Sequence, residues 1–251
     1  MWLNVGVYLL VTSLTAVLLN LLQNPLGIAP VVIQIVQFSP ALGVAAVVVL
    51  RWRNPGLRRA ARPSVRWGNG ALARVAVAAG LYAVMLAAAL WVYAGVFGGE
   101  VRPADPGGFG FPVLLIVVAQ FLGACGEEAG WRCYLQPELQ ARFGVLPAAV
   151  AVGLLWGAWH VHVFVQEPMA VAGFFLMTVS SSVVLAVLLQ RDRTGDLWVS
   201  GLMHTLMNLG LLFFLPDAVT NGPQIMSMAV PFVLTAVVAS VVSRRRPVAA
   251  L

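Results

Sequence analysis

Long apolar segments separated by short polar or charged stretches make up most of this chain. A helix of about 20 residues crosses the ~30 Å hydrocarbon core of a bilayer, and most of these segments reach about that length. The pattern predicts eight helical segments, at about residues 2–22, 29–50, 71–97, from 111 into an acidic motif at 127–132, 145–165, 169–189, 197–215 and 225–242. We therefore predict an all-α, polytopic membrane helix bundle of about eight transmembrane helices, with residues 1–251 forming a single integral membrane domain.

The composition supports the membrane assignment. Hydrophobic residues make up 61% of the chain and charged residues 10%, and the mean hydropathy is +0.91. The net charge is +6, and all fifteen basic residues are arginine, since the chain has no lysine. These arginines lie mostly in short stretches between apolar segments, so they indicate membrane topology and not a nucleic-acid surface.

The distribution of arginine predicts the orientation. With eight segments, thirteen arginines fall on the side that also holds both termini, whereas only Arg102 falls on the other side and Arg132 belongs to the acidic motif. The positive-inside rule then predicts that both termini are cytoplasmic. Frequent alanine, valine and arginine without lysine is typical of a GC-rich bacterial genome, so we expect a bacterial plasma membrane protein.

The most unusual polar stretch is Glu127-Glu128-Ala129-Gly130-Trp131-Arg132, which follows a run that is apolar apart from Gln120. Carboxylates next to a bilayer core are costly and usually functional. Helical spacing places Glu128 and Arg132 on one face as an ion pair, while Glu127 points about 100° away and is free to accept a proton. A purely structural buried ion pair is the alternative.

Two further polar sets lie on later segments. Trp156 and His160 share one helix face, and so do His204 and Asn208. Lipid cannot satisfy such groups, so we expect them to face the bundle interior and to converge with the acidic motif on one buried site. His162 lies about 200° from His160 on a continuous helix, so we expect it to be structural unless the helix breaks there.

These residue types suit hydrolysis by an activated water. A buried carboxylate can act as a general base, while histidine and asparagine can stabilise an oxyanion or protonate the leaving amine. Alternatively, His160, His204 and Glu128 are candidate ligands of a divalent metal, most plausibly zinc, whose bound water is the nucleophile. We predict no other cofactor.

The three motifs, Glu-Glu-x-x-x-Arg, aromatic-x-x-x-His and His-x-x-x-Asn, occur in this order on successive helices and resemble the CPBP family. This family contains type II CAAX proteases and bacterial Abi-type or bacteriocin-processing proteins. The resemblance covers about residues 111–215, which we treat as the catalytic core. One departure is Cys133, at a position that is commonly glycine in the first motif.

The resemblance implies an intramembrane endopeptidase that cleaves a peptide or protein substrate, in some relatives a prenylated tail, near the cytoplasmic side of the membrane. It implies that Glu127 activates the attacking water, alone or on a metal. It further implies that Glu128 and Arg132 support Glu127, and that His160, His204 and Asn208 complete the site.

Other function classes fit less well. The chain lacks the Gly-x-Ser-Gly, Gly-x-Gly-Asp and His-Glu-x-x-His motifs of other intramembrane proteases. A proton-coupled transporter also uses buried acids and histidines, but no paired broken helices are evident. A non-enzymatic membrane immunity or scaffold protein of the same fold stays open as an alternative.

Overall fold

Apolar helices account for most of the computed structural model, which describes residues 2–52, 70–189 and 197–245. The α-helices of this part are α1 (Trp2–Gln23), α2 (Ser39–Leu50), α3 (Ala71–Gly95), α4 (Val113–Gly130), α5 (Gln136–Phe143), α6 (Val145–Trp159), α7 (Pro168–Leu189), α8 (Leu197–Phe214) and α9 (Gly222–Arg245). Short 3-10 helices occur at Ile35–Phe38, Pro106–Phe109 and Val161–Val165, and a π-helical turn at Trp131–Leu135. Most of the arginine-rich 51–66 stretch and the charged 191–196 stretch lie outside the described residues.

The all-α membrane bundle is confirmed. Within the described residues, six stretches are long and apolar enough to cross a membrane: α1, α3, the continuous stretch Val113–Phe143, α7, α8 and the Gly222–Ser243 part of α9. Two shorter apolar stretches, Ile35–Leu50 and Val145–Trp159, correspond to the second and fifth predicted segments. At ~1.5 Å per residue these two span only ~22–24 Å, so the count of about eight is met by six long helices and two short ones.

The distribution of exposed residues agrees with a lipid environment. Leu10, Leu14 and Leu21 of α1 are each about 60–69% exposed, and Leu234 of α9 is 62% exposed. Burying such side chains is favourable at about 25 cal/mol per Å², so a stripe of exposed leucine indicates an apolar surrounding. The protein is thus an integral membrane protein.

The second predicted segment begins later than expected, because residues 24–34 form a loop of turns instead of a helix. The buried Gln23 side chain supplies hydrogen-bond partners for backbone groups of this loop, which lack helical ones. Its Nε2 donates to the carbonyl oxygens of Ile28 (2.6 Å) and Ile33 (3.0 Å), and its Oε1 accepts from the Ile35 backbone N–H (2.8 Å). This loop returns the chain toward α4.

Helix α4 lies at the centre of the bundle, where it packs against α2 on one side and α8 on the other. Gly126 permits the close approach to the start of α2. A Cβ atom at this position would lie 2.8 Å from Phe38 Cδ1 and 2.9 Å from the Gln37 carbonyl oxygen. Helix α7 packs against α6 and α9 and supports α6 from behind.

Candidate active site

The two adjacent acids lie in the last turn of α4 and are buried, Glu127 at 2% exposure and Glu128 at 0%. The helix then widens into the π turn Trp131–Leu135. Such π turns insert an extra residue per turn and are frequent at functional sites. All five residues of this turn are buried, so Arg132 is held against the same core as the acids.

The ion pair expected from the spacing of Glu128 and Arg132 is present. Glu128 Oε1 accepts from Arg132 Nη1 at 3.1 Å and also from His204 Nδ1 at 2.9 Å. The Arg132 guanidinium lies over the Trp156 ring, 4.3 Å from its centroid. Glu128 therefore links α4 to α8, and it orients the His204 ring so that Nε2 is the ring nitrogen left for other partners.

Glu127 has a partner that the sequence did not suggest. Its Oε2 accepts a 2.8 Å hydrogen bond from the Trp156 indole Nε1. Among the described residues no hydrogen bond engages Oε1, and Glu127 lines two neighbouring cavities. One carboxylate oxygen is thus held in place while the other remains available.

His160 ends α6 and is not an interior helix residue. Its backbone has φ −81° and ψ 67°, and its ring Nδ1 bonds to the Trp156 carbonyl oxygen at 2.8 Å. An α-helix would offer that carbonyl to the His160 backbone N–H, which instead donates to Gly157. Because a carbonyl only accepts, Nδ1 carries the hydrogen, and Nε2 of the neutral ring is an acceptor.

The break at His160 changes the expectation for His162. The two rings lie 5.8 Å apart, and both histidines line the same two cavities. The interpretation of His162 as a purely structural residue assumed an unbroken helix and is not supported.

Asn208 lies one turn after His204 on α8. Its Nδ2 donates to Gln120 Oε1 at 3.2 Å. A cavity of about 340 Å³ brings together four of the six predicted site residues, Glu127, His160, His204 and Asn208. Glu128 and Arg132 lie behind this cavity and do not line it. Its apolar wall is formed by Phe174, Met177, Met207, Leu211 and Leu215.

A second cavity of about 250 Å³ meets the first at Glu127 and His160. Its far wall belongs to α1, through Ser13, Ala16, Val17 and Asn20. Glu127 and His160 therefore lie between the two cavities.

Across residues 2–52, 70–189 and 197–245, no group of three or more His, Cys, Asp or Glu side chains is arranged to hold a metal ion. Glu128 Oε1 accepts from Arg132 and His204, which gives this oxygen an orienting role, while its Oε2 has no hydrogen-bond partner. A metal held by His160, His204 and Glu128 stays a prediction.

Similarity to known proteins lies in the part of the chain that carries these site residues. Residues 109–210 match the family model described as Type II CAAX prenyl endopeptidase Rce1-like. Over these residues the chain is similar to the Rce1-like family. The family resemblance predicted from the three motifs is confirmed, and the Rce1-like segment contains all six predicted site residues.

Two kinds of relative agree with this match. The chain is 26% identical over 159 residues to CAAX prenyl protease 2 of Methanococcus maripaludis, covering 57% of this chain and 56% of that protein. It is 26% identical over 132 residues to lysostaphin resistance protein A of Staphylococcus aureus, covering 53% of this chain and 30% of that protein. The similarity thus spans little more than half of the first relative and under a third of the second.

Two residues near the acids were not among the predicted site residues. Trp156 entered only as the aromatic residue of the second motif, although it contacts Glu127, Arg132 and the His204 ring. Gln120 was noted only as the polar exception in an apolar run. A signal existed for both, since Trp156 is one turn before His160 and Gln120 is two turns before Glu127.

Proposed function

We propose that this protein is an intramembrane endopeptidase in which Glu127 activates the water that hydrolyses a peptide bond. The proposal rests on the hydrogen bonding and the position of this one carboxylate. Its Oε2 is held by the Trp156 N–H, and it borders a cavity that also exposes His160, His204 and Asn208. An oriented base beside hydrogen-bonding side chains is the arrangement that general-base hydrolysis needs.

In the first step, Glu127 takes a proton from a water molecule while the water oxygen attacks the peptide carbonyl carbon. His160 helps to hold this water, because its Nε2 is a hydrogen-bond acceptor when Nδ1–H is bound to the Trp156 carbonyl. The proton on Glu127 then passes to the leaving amine as the C–N bond breaks. Glu127 thus ends the cycle in its starting form, and one water is consumed.

The negative charge that develops on the carbonyl oxygen requires donors. Asn208 offers the N–H of its amide that is not bound to Gln120, and His204, when protonated, donates from Nε2. Donors placed where this charge develops contribute on the order of 10²–10³-fold each in comparable enzymes. Glu128 and Arg132 act as positioning residues, because Glu128 holds the His204 ring and Arg132 packs against Trp156.

The substrate is a peptide or protein that reaches the site within the membrane. The larger cavity has an apolar wall on α7 and α8, which suits apolar side chains or a lipid modification. The name of the archaeal relative makes a prenylated CAAX tail the first substrate to try. From the arginine distribution we propose that both termini are cytoplasmic, that cleavage occurs near that side of a bacterial plasma membrane, and that nucleic acid is not a partner.

The experiment is a cleavage assay with the purified full chain in lipid vesicles. The probes are synthetic peptides ending in Cys-aliphatic-aliphatic-X, with and without a farnesyl group, and mass spectrometry identifies the products. We expect wild-type protein to cleave a probe and Glu127→Gln to reduce kcat by about 10²–10⁴-fold. The matched control is Glu100→Gln, since Glu100 is an exposed acid paired only with exposed Arg102.

A non-enzymatic scaffold of the same fold is the second candidate, favoured by one observation. The staphylococcal relatives are named for resistance and not for proteolysis. The scaffold function would replace the proposed protease on two results together. Neither wild-type protein nor Glu127→Gln would cleave any probe, and both would restore equally the phenotype caused by deleting the gene.

A further inference from the structure

Gln120 is the polar side chain in the otherwise apolar run of α4, two turns before Glu127. It is only 8% exposed and lines the same cavity as Glu127 and Asn208. A buried amide in a membrane helix needs partners for both its oxygen and its NH₂ group, since an unmatched polar group is costly there.

The partners of Gln120 fix which end of its amide faces which neighbour. Its Nε2 lies 3.4 Å from the Val31 carbonyl oxygen and 3.3 Å from that of Val32, at the end of the loop between α1 and α2. Carbonyl oxygens accept but cannot donate, so the NH₂ group of Gln120 must face the loop. The Oε1 atom must then face α8, where it accepts from Asn208 Nδ2 at 3.2 Å.

This arrangement also fixes the amide of Asn208. The two ends of an asparagine amide have nearly the same shape, and only hydrogen bonding decides their orientation. Because Gln120 offers an acceptor, Asn208 must turn its NH₂ group toward Gln120. Rotated by 180°, Asn208 would present its own carbonyl oxygen in place of an N–H and would repel a developing oxyanion.

We propose that Gln120 is a positioning residue that holds Asn208 in the orientation that donates to the oxyanion. The inference rests on the proposed function, because it assigns Gln120 a part in the same hydrolysis. It also makes the loop between α1 and α2 part of the active-site support, through the carbonyl groups of Val31 and Val32.

The test is a double-mutant cycle on kcat with the peptide that wild-type protein cleaves. Gln120→Met keeps side-chain length but loses both hydrogen-bonding ends, and we expect kcat to fall about 5- to 20-fold with KM within about twofold. In an Asn208→Ala background, the same change is expected to have no further effect, because the group that Gln120 positions is gone. Gln120→Glu, with its buried carboxyl group protonated, keeps an O–H donor for the loop carbonyls and an acceptor oxygen for Asn208, and is expected to recover most of the kcat.

The matched control is Gln224→Met. Gln224 is also a buried glutamine with a partner at each end of its amide: its Nε2 donates to Tyr93 Oη at 3.4 Å and its Oε1 accepts from the Asp217 backbone N–H at 3.1 Å, but it lines neither cavity. We expect Gln224→Met to lower thermal stability and to leave kcat within about twofold. Equal kcat losses in Gln224→Met and Gln120→Met, or a full Gln120→Met effect in the Asn208→Ala background, would overturn the inference while leaving the proposed protease intact.

A second measurement does not depend on cleavage. The side-chain amide signal of Asn208 in ¹⁵N-labelled protein can be assigned by its disappearance in Asn208→Ala. We expect this signal to shift in Gln120→Met and to stay in place in Gln224→Met. An unchanged signal in Gln120→Met would overturn the inference, and a shifted signal without any peptide cleavage would leave the contact in place and reject the proposed function.

Discussion

The Trp156 indole N–H donates a 2.8 Å hydrogen bond to Glu127 Oε2 and thereby joins α6 to the last turn of α4. The same indole ring lies against the Arg132 guanidinium and against the His204 ring. One side chain of α6 therefore contacts α4, the π turn and α8. It orients the proposed base.

Replacing Trp156 by phenylalanine should weaken catalysis more than folding. The ring contacts are largely kept, but Glu127 loses the donor that orients it. A hydrogen bond to a charged group contributes about 1.5–3 kcal/mol, so we expect kcat to fall by about 10- to 150-fold with little change in KM. Trp91→Phe, on an exposed face of α3, is the matched control. Equal losses in both variants would show that Trp156 has no specific part in catalysis.

The buried ion pair should matter far more for stability than the exposed one. Arg132→Met leaves the Glu128 carboxylate buried with only His204 as a partner, and breaking such a pair costs about 3–5 kcal/mol. Arg102→Met breaks the exposed pair with Glu100 and should leave stability nearly unchanged, because water and salt screen an exposed pair. Chemical unfolding of both variants in the same detergent measures the difference. Similar midpoints would contradict the structural role of Arg132.

His162 should affect substrate binding and not the chemical step. Its side chain is exposed and lines both cavities, and among the described residues no hydrogen bond joins it to Glu127, His204 or Asn208. We expect His162→Ala to raise KM severalfold with kcat within about threefold, whereas His160→Ala should lower kcat by about 10²-fold or more. Steady-state kinetics on one peptide compares the two. A loss of kcat in His162→Ala as large as in His160→Ala would refute this division.

Metal removal should have little effect if Glu127 acts without a metal. Incubation with 1,10-phenanthroline followed by desalting is expected to leave kcat within about twofold. The expectation follows from the side-chain arrangement, since no group of three or more His, Cys, Asp or Glu side chains among the described residues is placed to hold a metal ion. Loss of activity that zinc restores, together with bound metal that disappears in a His160→Ala/His204→Ala variant, would establish the metal mechanism instead.

Local spacing was enough to predict contacts within one helix. The four-residue spacing of Glu128 and Arg132 predicted their ion pair, and that of His204 and Asn208 predicted a shared face on α8. Both follow from the helical repeat, which the chain sets on its own. The helix bundle itself follows from the apolar lengths in the same way.

Contacts between helices were harder to predict. Counted at ~1.5 Å per residue from the ends of the predicted segments, Glu127 and His160 lie at different depths in the membrane, yet Trp156, one turn before His160, reaches Glu127 directly. Relative depth depends on loops and helix ends, such as the loop after Gln23, which delays the second helix. The pairing of Gln120 with Asn208 depends on the same tertiary placement and has no local signature.

The break at His160 shows a different limit. Its ring takes the carbonyl that the backbone would need to continue α6, so a side-chain hydrogen bond competes with the helix. The apolar pattern from 145 to 165 carries no sign of this competition, and the predicted segment continued through it. The position of His162 beside the cavities follows from that break.

A single-turnover cleavage in H₂¹⁸O, with protein in excess over peptide, tests most directly whether Glu127 activates water that attacks the substrate. We predict one solvent ¹⁸O in the new carboxyl group of the product and none in the fragment of the protein that contains Glu127. An unlabelled product carboxyl group with ¹⁸O appearing in the Glu127 fragment would contradict the account, since it would mean that Glu127 itself attacks the peptide.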